Sequence, residues 1–290
     1  MPRTRRLRST GRAAGALALL LGVALGVALA GCSSAPLGAG PGSSPDSNVV
    51  LPPSGGIADY QLGGAYPPAD AVTIVERDST DAPEPGLYSI CYLNGFQSQP
   101  GETAEWIADR SDLVLTSDGA PIIDENWPDE VIFDTSTAEK RESILAVIGP
   151  LIDGCRSSGF DAVEFDNLDS FSRSAGRMTA EDNFALAAAY VQRAHASGLA
   201  AAQKNSVEHS RQLHDEVGFD FAVTEECWRF DECDGYIDVY GDRVLDIEYS
   251  DDLREEFASS CASADRPATM ILRDRDLVTP DDPAYVFEHC

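Results

Sequence analysis

The sequence predicts an α/β protein: a single (β/α)8 TIM-type barrel preceded by a lipoprotein signal and a flexible linker. Three observations predict it. Short apolar runs alternate with helical segments of roughly ten to seventeen residues, the pattern of a parallel sheet with crossover helices. Residues 56–290 form a stretch long enough for one large barrel domain. Polar and acidic residues recur just after the apolar runs, where a barrel gathers its site. An open doubly wound sheet ranks second, because no Gly-rich phosphate loop follows the first strand.

The N-terminus sets the compartment. Arg3, Arg5, Arg6, Arg8 and Arg12 precede an apolar run from Ala13 to Ala30. A basic head, apolar middle and small-residue exit is the layout of a secretory signal. Leu29-Ala30-Gly31-Cys32 resembles a lipobox, which implies that residues 1–31 are a lipoprotein signal peptide and that Cys32 is lipidated. The competing reading is a plain transmembrane anchor, which leaves the Cys at the exit unexplained. Two or more acyl chains hold a protein stably on a membrane. Residues 32–55 are rich in Ser, Gly and Pro, a composition that reads as a tether. The expected location is the extracytoplasmic face of the cell membrane, lipid-anchored.

The chain carries a formal net charge of −28, and loss of the five signal arginines would leave about −33. Such a chain avoids nucleic acid and anionic surfaces and attracts cationic substrates, although acidity also serves solubility alone. Beyond Cys32 there are Cys91, Cys155, Cys227, Cys233, Cys261 and Cys290. An even count outside the cell favours disulfides over metal sites. Cys227 and Cys233 are close enough to close a short loop. Cys91 with Cys155 and Cys261 with Cys290 remain if near neighbours join, but the sequence alone leaves the pairing open. His195, His209, His214 and His289 show no metal-type spacing. No metal and no cofactor is expected, and a monomer is.

Element by element, strands are expected at 71–75, 87–93, 160–165, 199–203, 219–223, 243–247 and 269–272, with shorter candidates at 112–115, 131–133 and 235–239. Ile144, Val147, Ile148, Leu151 and Ile152 recur at helical spacing between Glu139 and Cys155, before a Gly159 cap. Thr179 and Asp182 sit as N-cap and third helical residue of an Ala-rich helix that stops at Gly198. Helices are also expected at 207–217 and 252–262.

In a barrel the chemistry lies at the carboxyl ends of the strands. The residues there are Asp78; Asn94; Glu164, Asp166, Asn167 and Asp169; Lys204 and Asn205; Glu225 and Glu226; and Glu248 and Tyr249. Glycosidic hydrolysis needs two carboxyl groups flanking the scissile bond, one protonating the leaving oxygen and one activating water or attacking the anomeric carbon. Charge repulsion and burial split the two pKa values and so divide the roles. Lys204, one of two lysines in the chain, ends an apolar strand and could orient or charge that cluster, or serve as a structural ion-pair partner.

The strings Gly159 to Asp169 (with Glu164-Phe165-Asp166-Asn167), Gln203-Lys204-Asn205, Glu225-Glu226-Cys227 running on to Glu232-Cys233, and Val244 to Tyr249 come in an order that resembles glycoside hydrolase family 114, the endo-α-1,4-polygalactosaminidases. Tyr60-Gln61-Leu62 and Ile90-Cys91-Tyr92 look like further family segments. The resemblance implies a TIM barrel with Asp166 and Glu225 as the two catalytic carboxylates, and with Glu164, Asp169, Lys204 and Glu248 as supporting or subsite residues. Glu226 is the alternative to Glu225. Tyr60 stands where the family usually has Trp, and Asn94 to Glu102 lacks the expected acidic-aromatic string. Trp106, Trp127, Trp228 and Phe230 are candidate sugar platforms, each of which could equally be core. The implied partner is a cationic, amine-bearing polysaccharide. A non-catalytic glycan-binding lipoprotein, or a glycosidase for another surface glycan, are the alternatives.

Overall fold

Residues 49–290 are described by the computed structural model, and within them eight strands run parallel in chain order. They are β1 (Ala58–Gln61), β2 (Ile74–Asp78), β3 (Tyr88–Asn94), β4 (Ala162–Asp166), β5 (Ala200–Lys204), β6 (Phe221–Glu225), β7 (Val244–Tyr249) and β8 (Thr269–Arg273). Each pairs with its sequence neighbour. A ninth strand, β9 (Phe287–His289), runs antiparallel along the free edge of β8. The result is a nearly closed TIM-type barrel.

The last gap is bridged by a side chain. Arg273 of β8 is wholly buried and donates to the Tyr60 carbonyl of β1, to the Val286 carbonyl at 3.0 Å and to the Val278 carbonyl at 3.1 Å. Its charge is balanced by Asp59 at 3.5 Å and Asp274 at 3.6 Å. Thr269 on β8 adds a bond of 2.6 Å to the Gly56 carbonyl.

Side chains alternate across each strand, so period-two positions share a face. The inward face is packed by Ala58, Ile74, Ile90, Ala162, Ala200, Phe221, Leu245 and Ile271. Small alanines opposite large rings fill the tapering interior. The outward face packs with the helices, chiefly α2 (Ala138–Ser158) and α3 (Ala180–Ser197), in a second core containing Phe165, Tyr190 and Phe219. The capping box at Thr179 and Asp182 is formed, and Gly159 and Gly198 end their helices in the left-handed region. Of the apolar residues at helical spacing in α2, Ile144, Ile148 and Ile152 are buried, whereas Leu151 is exposed.

The disulfides pair near neighbours: Cys91–Cys155, Cys227–Cys233 and Cys261–Cys290. Among the described residues no helix is long and apolar enough to cross a membrane. Cys32 and the segments at 1–31 and 32–48 lie outside the described residues.

Several expected elements differ. Residues 235–239 are helical, inside α4 (Cys233–Tyr240); the apolar residues Tyr236 and Tyr240 sit four apart and are both buried, a helical spacing within a run too short to show its period. The runs at 112–115 and 131–133 are not barrel strands. They meet through isolated antiparallel bridges such as Val114 to Phe133, in a long excursion between β3 and α2 that also holds α1 (Thr103–Asp109). Strand β1 was not foreseen, since Asp59 and Gln61 flank Tyr60 without an apolar run. The expected helix at 207–217 is broken into short 3-10, α and π turns, and that at 252–262 is confined to Phe257–Cys261.

Replacing Arg273 by Met would remove the donor to three carbonyls and the charge partner of buried Asp59, so Arg273→Met should cost roughly 4 kcal/mol. Calorimetry should show this as an unfolding midpoint lower by about 10 °C.

Candidate active site

Continuing the inward face toward the strand exits, apolar residues give way to polar ones. Ile74 is followed two residues later by Glu76, Ile90 by Tyr92, Ala162 by Glu164 and then Asp166, Ala202 by Lys204, Val223 by Glu225, and Ile247 by Tyr249. Each strand thus delivers its chemistry at the same end. Three strands also leave the barrel the same way: Asn167, Asn205 and Glu226, each immediately after a site residue, have φ of 59°, 46° and 63°. Asn tolerates this left-handed conformation, whereas at Glu226 it is strained.

Lys204 stands at the centre. Its ammonium is 2.9 Å from Glu164 Oε1, 3.5 Å from Asp166 Oδ1 and 3.6 Å from Glu225 Oε2, and it donates to the Tyr60 hydroxyl at 3.0 Å. The Lys204 side chain is 2% exposed, Asp166 22% and Glu225 30%. Only the two outer carboxylates therefore meet solvent. Burial alone would push the Lys204 ammonium down, but Asp166, Glu164 and Glu225 outweigh it and hold it well above the ordinary lysine range.

Asp166 and Glu225 flank this ammonium. Burial would raise Asp166, but Lys204, the Tyr92 hydroxyl at 2.7 Å and the Asn167 backbone N–H at 2.7 Å together bring it below the usual carboxylate range. Glu225 accepts from the Tyr249 hydroxyl, and its backbone N–H donates to Asn205 Oδ1 at 2.9 Å. Both carboxylates open into a cleft of about 840 Å³.

The cleft gathers most of the strand-end residues. Asp78, Asn167, Asp169, Asn205, Glu226 and Tyr249 line it with Asp166, Lys204 and Glu225. Glu226 is committed elsewhere: Arg275 grips both its carboxyl oxygens at 3.1 and 2.9 Å and stacks over the Tyr249 ring at 4.5 Å. Of the two adjacent glutamates, Glu225 is thus the one in contact with Lys204. Asp169 pairs with Arg173 at 2.8 Å, and Asp78 accepts from the Thr80 backbone and hydroxyl.

Three strand-end residues sit beneath or outside the cleft. Glu164 is wholly buried under Lys204. Asn94 is buried and braces the wall, donating to Glu130 at 2.8 Å and accepting from Asn167 at 2.9 Å. Glu248 is directed out of the barrel, where it accepts from the Trp228 and Arg229 backbone N–H groups. Period-two alternation explains Glu248, which lies between inward Ile247 and Tyr249.

The structure also adds residues that sequence reasoning missed: Glu76, Tyr92, Asp124, Glu130, Arg173 and Arg275. Alternation from Ile74 and Ile90 would have pointed Glu76 and Tyr92 inward. Glu130, Asp124 and Arg173 come from the excursion after β3 and the turn after β4, where no periodicity marks them. Glu130 lines the cleft, and burial, partly countered by Asn94, pushes its carboxyl up to about 7. Trp127, 58% exposed, lines the same wall, whereas Trp106 is core. Among the described residues the one grouping with metal-ligand potential is Cys227, Cys233 and Asp246, and its two sulfurs are joined in a disulfide rather than free as thiolates.

No curated protein matches the chain by sequence. Among solved structures, Aspergillus fumigatus Ega3 in complex with galactosamine superposes with a TM-score of 0.64 at 20% identity, over 83% of this chain and 97% of that one. The glycoside hydrolase domain of PelA from Pseudomonas aeruginosa superposes with a TM-score of 0.57 at 15% identity, over 79% and 97%. The profile of glycoside-hydrolase family GH114 matches residues 41–290. The chain belongs to glycoside-hydrolase family GH114.

Proposed function

We propose that this protein hydrolyses an α-1,4-linked, galactosamine-containing polysaccharide, as a lipoprotein anchored through Cys32 on the outer face of the cell membrane. The observation that carries the reading is the pair of carboxylates, Asp166 and Glu225, held on either side of one buried ammonium at the floor of an open cleft. Family membership and the fold shared with a protein crystallised with galactosamine support the substrate class. The acidic lining of Asp78, Asp124, Glu130 and Asp169 suits a sugar bearing a free amine.

The roles follow from the contacts. Asp166 is kept ionised by Lys204, Tyr92 and Asn167, and so acts as the anion, attacking the anomeric carbon or activating water. Glu225 supplies the proton to the leaving oxygen, while the Tyr249 hydroxyl fixes its orientation. Lys204 keeps a positive charge beside both carboxyls, which holds Asp166 as the anion and fixes the two side chains on either side of one centre. Trp127 offers a stacking face along the cleft wall.

Incubated with partly deacetylated α-1,4-galactosaminogalactan, residues 49–290 should release short oligosaccharides, and Asp166→Asn should lower kcat at least about a thousandfold. Glu225→Gln should lose polymer cleavage to a similar degree yet recover turnover on an aryl glycoside whose leaving group needs no proton. Full activity on the polymer in either variant would refute the assignment. Raising salt from about 0.05 to 0.5 M should lower kcat/KM on the cationic polymer severalfold with kcat little changed, because screening weakens encounter. Cys32→Ser should move the protein from the membrane to the soluble extracytoplasmic fraction.

A further inference from the structure

The charges at the floor of the site do not balance on the groups described above. Four carboxyls, Glu76, Glu164, Asp166 and Glu225, surround one ammonium. Glu76 and Glu164 are 2% and 0% exposed, so neither is neutralised by solvent. An unpaired carboxylate in such surroundings takes up a proton rather than stay charged.

The hydrogen bonds show where the proton belongs. Glu164 Oε1 accepts from Lys204. Glu164 Oε2 and both oxygens of Glu76 have no N–H or hydroxyl donor within reach among the described residues. Instead the two carboxyls face one another inside the barrel, sealed from solvent, where two anions would repel without water to screen them. In barrel terms the meeting is expected: β2 and β4 are alternate strands, and alternate strands contribute side chains to one interior layer. The groups facing Glu76 are Glu164 and Asp166 from β4, Lys204 from β5 and Tyr60 from β1.

We propose that Glu76 is a neutral carboxylic acid that donates a hydrogen bond to Glu164, leaving the single Glu164 charge aimed at Lys204, and is thereby a positioning residue for the Asp166–Lys204–Glu225 arrangement. Burial and the neighbouring Glu164 push Glu76 well above the usual range; burial raises Glu164 as well, but there the Lys204 charge and the Glu76 contact work against it. With the proton on Glu76, Lys204 is held from below by one anion and stays equidistant, within 0.1 Å, from the two carboxylates above it. Glu76 lies outside the cleft lining, beneath Lys204 and the carboxylates that open into it. Its link to catalysis rests on the functional reading given above.

The test compares Glu76→Gln, which keeps a neutral hydrogen-bond donor, with Glu76→Leu. A carboxyl whose folded-state pKa is raised stabilises the fold below its unfolded pKa, and that stability is lost as pH rises toward the folded value. The unfolding midpoint of Glu76→Gln should therefore gain on wild type steadily between about pH 5 and 8. A constant offset across that range would overturn the proposal. With glutamate carboxyls labelled with carbon-13, the infrared carbonyl stretch of a neutral acid should persist in wild type at about pH 8 and vanish in Glu76→Gln. Its absence from wild type would also overturn it. On the polymer, Glu76→Leu should lower kcat at least about tenfold with KM little changed, and Glu76→Gln should recover most of that loss. Equal activity of both variants would remove the positioning role. If wild type itself failed to turn the polymer over, the substrate reading would fall, while the unfolding and infrared measurements would still decide where the proton resides.

Discussion

The Lys204 ammonium brings one positive charge within 3.6 Å of three carboxylates at the floor of the barrel mouth. Without it, Asp166 and Glu225 would face one another as like charges with nothing between them to offset the repulsion. With it, the two share one partner at nearly equal distances. The lysine can hold this place only because Ala200 and Ala202 below it are small and because Tyr60 and Glu164 supply acceptors on the side away from solvent. A buried ion pair of this kind is weak support for the fold but fixes geometry. Stability comes from the apolar layers beneath and around it.

That geometry reaches the surface through two regularities. Period-two alternation turns successive inward residues of each strand from apolar to polar on approaching the exit. Left-handed residues at 167, 205 and 226 then bend three consecutive strands outward directly after their site residues. Two of these are Asn, whose side chains also brace the site: Asn205 orients the Glu225 backbone, and Asn167 ties into Asn94 and Arg173. The third, Glu226, holds a strained conformation with Arg275 clamped on its carboxylate, and the Cys227–Cys233 disulfide follows at once. Strain next to the chemistry is thus offset by local ties.

Much of this was legible in the chain. The alternation of strands and helices, the caps of α2 and α3, and the clustering of Asp166, Lys204 and Glu225 at strand ends all follow from local residue patterns. What escaped had no local signature. Strand β1 alternates Asp59, Tyr60 and Gln61, and its polar residues are buried only because Arg273 and Tyr66 come from elsewhere to meet them. The helix at 233–240 hid behind a β-like string of Ile and Val. Reading the residue after each apolar run found Glu225 but also Glu248, because a position at the end of a strand does not by itself say which face it takes. Glu130 and Asp124 arrive on a long excursion whose path is set by contacts distant in sequence.

The scarcity of lysine has a practical side. Lys140 and Lys204 are the whole complement, and the Lys204 side chain is sealed in the barrel whereas that of Lys140 is one-third exposed. Amine-directed reagents such as succinimidyl dyes or aldehyde-activated beads would find a single lysine to attack on the described surface. It lies in the first turn of α2, on the strand-exit side of the barrel, so coupling through this side chain would hold the barrel in one orientation.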